Sequence, residues 1–191
     1  ADSNFELSEQ SGVSDRFTWA PIFEAGPSSY ALLHLGISAR YRENGDDALF
    51  SYRPRPFNGR GDRWIEQATA VGQTDLSLGA ELAGQWNQVG FTAEYAQLQG
   101  EMTAGVGYEY DAYYVDLYWS ITGEPRAYRG NQGSFGPVIP RHPMGEGGMG
   151  HLMLSARYDF IDLTDNPFPV ANANRGEQSA YAVGLDWIPL D

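Results

Sequence analysis

Tyr30-Ala31-Leu32-Leu33-His34-Leu35-Gly36-Ile37-Ser38-Ala39-Arg40-Tyr41-Arg42 alternates apolar and polar side chains along most of its length. Successive side chains of an extended strand point to opposite faces. Ala31, Leu33, Leu35, Ile37, Ala39 and Tyr41 therefore share one face, and His34, Gly36, Ser38, Arg40 and Arg42 share the other. The run exceeds the ~9 to 11 residues that a tilted strand needs to cross a bilayer. Alternation alone suits any half-buried strand, so the fold reading rests on its repetition.

Six further segments repeat it. Residues 15–21 set Phe17 and Trp19 against Arg16 and Thr18, and Pro21 is expected to stop that strand by removing a ladder donor. Residues 74–86 set Leu76, Leu78, Ala80, Leu82 and Trp86 against Ser77, Gly79, Glu81 and Gln85. Asn87-Gln88 leaves room only for a tight turn, after which Val89, Phe91, Ala93 and Tyr95 oppose Gly90, Thr92, Glu94 and Ala96. A fifth strand opposes Tyr113, Val115, Leu117, Trp119 and Ile121 to Tyr114, Asp116, Tyr118, Ser120 and Thr122. The sixth places Leu152, Leu154, Ala156, Tyr158 and Phe160 opposite His151, Met153, Ser155, Arg157 and Asp159. The seventh opposes Tyr181, Val183, Leu185 and Trp187 to Ala182, Gly184 and Asp186, and Pro189 ends it. Seven such strands with no hydrophobic helix predict an all-β, transmembrane, antiparallel up-and-down β-barrel.

Composition agrees. The chain has 191 residues, 19% of them charged, with 9 Phe, 5 Trp and 12 Tyr; abundant Tyr and Trp suit aromatic girdles at membrane interfaces. A secreted β-sandwich or jelly roll uses similar residues. There is no Cys, so no disulfide framework or thiolate metal site arises. The formal charge is -13 and every basic residue is Arg. Such acidity argues against a nucleic-acid partner, because phosphate attraction needs a basic surface.

Three polar connections interrupt the strands. Residues 43–73 contain the turn signal Asn44-Gly45 and the stretch Tyr52-Arg53-Pro54-Arg55-Pro56, whose prolines favour an extended loop. Residues 123–150 are rich in Gly and Pro and too long for a routine connection; 162–176 form the third. Trp19-Ala20-Pro21 and Trp187-Ile188-Pro189 repeat one local pattern, and if it marks one membrane face the two strands must run the same way. First and seventh strands satisfy that parity. It puts the Asn87-Gln88 turn and residues 123–150 on the periplasmic side and 43–73 on the outside, as a long external loop able to fold into the pore.

The stretches Trp119-Ser120-Ile121-Thr122-Gly123-Glu124-Pro125-Arg126-Ala127-Tyr128, Arg157-Tyr158-Asp159-Phe160-Ile161-Asp162-Leu163-Thr164-Asp165 and Gly184-Leu185-Asp186-Trp187-Ile188-Pro189 resemble the phosphate-selective porin O and P family. Leu33-His34-Leu35-Gly36 after a Trp-Ala-Pro turn is similar as well. The resemblance covers most of the chain from Arg16 onward. It implies a trimeric outer-membrane porin of sixteen strands per barrel, with inward-folded loops and an arginine ladder that passes small anions such as phosphate. Residues 1–191 then read as one partial barrel domain, about the eighth to fourteenth strands, with two more expected after Pro189.

The implied partners are outer-membrane lipid, small anions and two further copies of the chain, with no cofactor. Carried over by residue, Arg53 and Arg55 match the family's arginine-bearing inward loop, and Arg40 and Arg42 fall on the lumen face of the preceding strand. The competing reading of each arginine is a solvated charge or a partner for nearby Asp and Glu. Glu81, Glu94, Asp116, Asp159 and Asp186 recur at strand period and are expected to face the lumen. The resemblance departs at Phe135-Gly136-Pro137-Val138-Ile139-Pro140, where family members often carry basic residues, and in the absence of Lys.

No catalytic group stands out. A hydrolase needs a nucleophile paired with His and an orienting group, and His34 with Ser38 is the one local candidate, four residues apart on one face. The three histidines have no metal-ligand spacing. The functional alternatives to an anion porin are a non-selective or cation-preferring general porin and a soluble carbohydrate-binding β-sandwich. Leu33, Leu35, Leu76, Leu78, Val115, Leu117, Leu152 and Leu154 separate them, since a channel turns these outward whereas a sandwich buries them.

Overall fold

The computed structural model describes residues 10–26, 29–45, 49–55, 57, 62–101, 105–165 and 176–190. The element order is β1 (Gln10–Ala25), β2 (Tyr30–Asn44), β3 (Phe50–Tyr52), β4 (Gln67–Gly72), β5 (Thr74–Trp86), β6 (Val89–Glu101), β7 (Gly107–Ser120), β8 (Tyr128–Arg129), β9 (Ser134–Phe135), β10 (His151–Asp162) and β11 (Glu177–Ile188). The seven long strands form one antiparallel sheet ordered β1-β2-β5-β6-β7-β10-β11, in chain order, with β1 and β11 at its edges. The chain is therefore all-β with up-and-down topology. β1 and β11 lie six steps apart and run the same way, as the paired Trp-x-Pro patterns require.

Burial inverts the usual rule for a soluble sheet. On β7, Val115, Leu117 and Trp119 are exposed, Leu117 by 55%, while Tyr108, Tyr110, Tyr118 and Ser120 on the other face are buried. On β5 the exposed residues are Leu78, Ala80, Leu82 and Trp86, and the buried ones are Asp75, Ala83 and Gln85 on the polar face and Gly84 on the other. Leu35, Ile37, Leu154, Val183 and Leu185 are likewise exposed. The sandwich alternative required a second sheet over these side chains, and the other sheets are two-stranded, β3-β4 and β8-β9, inside the connections.

What the polar face does bury lies beneath those connections. Ile65, Tyr108, Tyr110 and Leu163 cluster with Tyr52, Leu98 and Ile161 packed against them. The cluster anchors residues 49–72 to one end of the sheet. Arg42 Nε donates to Asp75 Oδ1 at 2.8 Å, its Nη2 donates to Oδ2, and Tyr52 Oη donates to that same Oδ2 at 2.8 Å. The Arg42 guanidinium also lies 4.2 Å from the Phe50 ring centroid.

Several boundaries differ from the sequence reading. Pro21 does not end β1, which continues to Ala25 across a register shift between Trp19 and Ile22. The proline falls at the irregularity, a setting in which a missing N–H costs the ladder little. β7 starts at Gly107, ahead of the expected Tyr113, because Tyr108 and Tyr110 extend the alternation. The 43–73 excursion carries its own β3-β4 pair. Arg53, Pro54 and Arg55 have no regular structure, as expected, while Pro56 and 166–175 lie outside the described residues.

Aromatic rings lie across glycines on paired strands. Gly90 pairs with Tyr118 and Gly100 with Tyr108, and a Cβ at Gly100 would overlap the Tyr108 ring. That ring has nowhere to go, being buried with its Oη 2.9 Å from Tyr52 Oη. Gly100→Ala is therefore expected to cost ~1 to 3 kcal/mol through overpacking. Gly107→Ala, whose Cβ meets nothing closer than 3.8 Å, serves as the near-neutral control. Thermal unfolding of the two variants checks this; equal midpoints contradict it.

Candidate functional site

The register lines up the polar face in cross-strand rungs. One rung reads Thr18, Gly36, Glu81, Glu94, Tyr114, Asp159, Ala180 across the seven strands. The next, toward the Asn87-Gln88 turn, reads His34, Ala83, Thr92, Asp116, Arg157, Ala182 from β2 to β11. Glu81, Glu94, Asp116 and Asp159 thus form an acidic belt at mid-height. Glu81 and Glu94 are directly opposed, an arrangement that is destabilising unless something separates or compensates the charges.

Arginines supply that compensation. Arg16 donates Nε to Glu81 Oε1 at 2.6 Å and Nη2 to Oε2 at 2.5 Å, and His34 Nε2 lies 3.3 Å from that Oε2. Arg157 donates Nε to Asp159 Oδ1 at 2.8 Å and places Nη1 3.8 Å from Asp116 Oδ2. Its guanidinium carbon stands 3.7 Å from the Tyr114 ring centroid. Tyr114 Oη donates to Glu94 Oε1 at 2.6 Å, and Glu94 has no ion-pair partner among the described residues.

Residues 123–150 fold back over this face as an inserted arm, through the β8-β9 hairpin and a 3-10 turn at Met144–Glu146. Arg16 Nη1 and Nη2 donate to the carbonyls of Gln132 and Gly133 at 3.3 and 2.9 Å. Gly133 has φ 57° and sits against Thr18, so a side chain there would be strained and obstructed. Tyr128 Oη lies 2.7 Å from His34 Nδ1. The Arg126 guanidinium lies against the edge-to-face pair of Tyr118 and Phe135, 5.1 and 4.6 Å from their ring centroids. The segment expected on the side of short turns does begin and end there, and its length is used on the polar face.

The neck of this arm is a buried polar cluster. His151 is fully buried, with Nδ1 3.1 Å from Glu124 Oε2, 3.2 Å from Thr122 Oγ1 and 3.4 Å from Ser120 Oγ. Glu124 Oε1 also accepts the Arg141 N–H at 3.0 Å. Burial pushes the Glu124 carboxyl up, but the Thr122 hydroxyl, the Arg141 amide and His151 outweigh it and hold it at about 2. The cluster is no hydrolytic relay, because hydroxyl and carboxylate meet the same ring nitrogen rather than opposite ones. His34 is engaged by Tyr128 and Glu81, not Ser38.

The arginines named from sequence separate into different settings. Arg42 is committed to Asp75, and Arg53 Nε donates to Glu66 Oε2 at 2.8 Å. Arg40 is exposed on β2. Arg55 lines a cavity of about 340 Å³ together with Glu81, Glu94, Tyr114, Arg157 and Asp159. A second cavity, of about 280 Å³, is bounded by Arg16, His34, Asp116, Arg126 and Phe135 and shares Glu81, Glu94 and Tyr114 with the first. Asp186 is exposed near the end of β11 and lines neither. Sequence reasoning left Arg16, Arg126 and the Glu124-His151 neck without a role. The neck's signal was the Thr122-Gly123-Glu124-Pro125-Arg126 stretch, visible as a motif without its purpose.

The sequence profile of the phosphate-selective porin O and P family matches residues 3–191. An uncharacterized protein of Caulobacter vibrioides is 34% identical over 186 residues, which take in 94% of this chain and 35% of that protein. Porin O of Pseudomonas aeruginosa is 28% identical over 202 residues, 92% of this chain and 44% of the relative. The chain spans less than half the length of either relative.

A depressed carboxyl contributes stability above its ordinary pKa of 4.5 and loses it as pH falls toward about 2. Proteolysis within residues 123–150 is therefore expected to rise as pH drops through that window. Glu124→Gln should give the same cleavage at pH 7, since a buried acceptor removed costs ~1 to 3 kcal/mol. Unchanged cleavage in the variant would assign the neck no holding role.

Proposed function

Since this chain belongs to the phosphate-selective porin O and P family, we propose that it forms part of the wall of a water-filled channel in the bacterial outer membrane, passing small anions such as phosphate. The observation that carries this is the inverted burial: the apolar face is bare and the charged face sheltered by folded-in connections. Lipid is the solvent that suits such an outer face. The open edges at β1 and β11 leave backbone groups that lipid cannot satisfy, so other strands of a longer barrel complete them.

Anion preference rests on where the cations stand. Charges beyond a Debye length, ~8 Å at physiological salt, are largely screened, so the narrowest section governs selectivity. In this reading the two cavities belong to that section: Arg55 and Arg126 line them from the two connections, and Arg16 and Arg157 offset wall carboxylates. Guanidinium groups stay protonated and suit bidentate phosphate contacts. The preference is weak, because the acidic belt opposes it. That belt is also what favours the second reading, a general porin with cation preference.

Reversal potentials across a salt gradient decide between them. The intact protein is expected to favour chloride over potassium. A unit charge ~4 Å from a passing ion in water-like surroundings is worth about 1 kcal/mol, a factor of roughly five in local concentration. Arg55→Ala should therefore lower the chloride preference about two- to fivefold, whereas Arg53→Ala, at a residue that lines neither of these two cavities, should change it little. Cation preference in the unmodified channel supports the general porin instead.

The membrane reading has its own test. Leu117→Arg puts a charge on the exposed apolar face, at up to ~2 to 4 kcal/mol near the bilayer midplane, and is expected to reduce insertion into lipid vesicles. Normal insertion of that variant would argue against lipid on this face.

A further inference from the structure

The wall and the folded-in connections present opposite charges to the same space, and from this we infer that Glu94 is a specificity-determining residue. It makes the passage favour solutes that carry an ammonium group beside their anionic group over the bare anion. The inference rests on the channel reading and refines its substrate class.

Glu94 lines both cavities, so a solute moving between them passes its carboxylate. Its belt neighbours are occupied: Glu81 by the Arg16 fork and His34, and Asp116 and Asp159 by Arg157. Glu94 receives one hydrogen bond from Tyr114 and is exposed. A hydroxyl donor orients a carboxylate without cancelling its charge. Tyr114 is in turn fixed by the Arg157 guanidinium stacked on its ring, which makes it a positioning residue for Glu94.

The cations that the connections bring to the two cavities Glu94 lines are Arg55, from residues 49–55, in the first and Arg126, from the inserted arm, in the second. Room in the first cavity comes from the adjoining rung, where Ser38, Gly79, Ala96 and Ala112 stand side by side on four strands. A simple anion drawn to these arginines is repelled by Glu94. A phosphate or carboxylate with a cationic end meets both signs of charge at once, which is how opposed fixed charges turn attraction into specificity.

The probes are O-phosphoethanolamine and ethyl phosphate, which match in size and differ in the ammonium group. Entry of each into vesicles holding the complete porin is measured for the unmodified protein, Glu94→Gln, Tyr114→Phe, Asp186→Asn and Arg55→Ala, at equal inserted amounts. The unmodified channel is expected to pass O-phosphoethanolamine several-fold faster than ethyl phosphate. Glu94→Gln should abolish that advantage, Tyr114→Phe should reduce it, and Asp186→Asn should leave it intact. An unchanged ratio in Glu94→Gln, with Arg55→Ala still slowing both solutes, overturns this inference and leaves the anion channel standing. An equal loss in Asp186→Asn also overturns it, since general acidity then sets the ratio. Failure of either solute to enter any of the vesicles defeats the channel reading and the inference with it.

Discussion

An extended strand has two faces and no third choice, and the architecture follows from giving them opposite surroundings. Every wall strand must hold its register, because a slip of one residue exchanges the leucines for the carboxylates. Six consecutive pairings keep that register from β1 to β11, with one irregularity, at Trp19 to Ile22. The irregularity sits at Pro21, whose missing N–H cannot serve the ladder.

Confining polar residues to one face crowds like charges, and the identity of the basic residues answers that problem. Glu81 and Glu94 are cross-strand partners, and Asp159 lies two strands further along the same rung. A point charge would serve one acid at a time. The guanidinium fork lets Arg16 bind both oxygens of Glu81 while reaching two carbonyls of the inserted arm, and lets Arg157 serve two aspartates while stacking on Tyr114. Planar, multidentate donors explain why the chain can run on Arg without Lys.

The strands were legible in the sequence because alternation is a local signal, present in each segment by itself. Pro21 misled because a proline's effect depends on whether the pairing of its strand shifts register around it, which is a tertiary fact. The β8-β9 hairpin was hidden for a related reason. Two-residue strands carry no periodicity, and what holds the arm in place comes from Thr18, His34 and Tyr118, each far away in the chain. The candidate site followed the same division. Alternation put Glu81, Glu94, Asp116 and Asp159 on one face, but where Arg42 and Arg53 are held depended on Asp75, 33 residues from Arg42, and Glu66, 13 from Arg53.

Net charge is a poor guide to such a passage for the same reason. The value of -13 belongs to the whole chain, whereas a permeating ion responds to groups within a Debye length. Of the four carboxylates in the belt, three lie within 4 Å of a guanidinium group. The two connections then add Arg55 and Arg126, so the linings of the two cavities carry as many guanidinium groups as carboxylates. The wall and its loops thereby separate charge across the passage rather than accumulate it. In the channel proposed above, such an arrangement discriminates by the placement of a solute's charges, a property that composition does not contain and that appears only once the strands are in register.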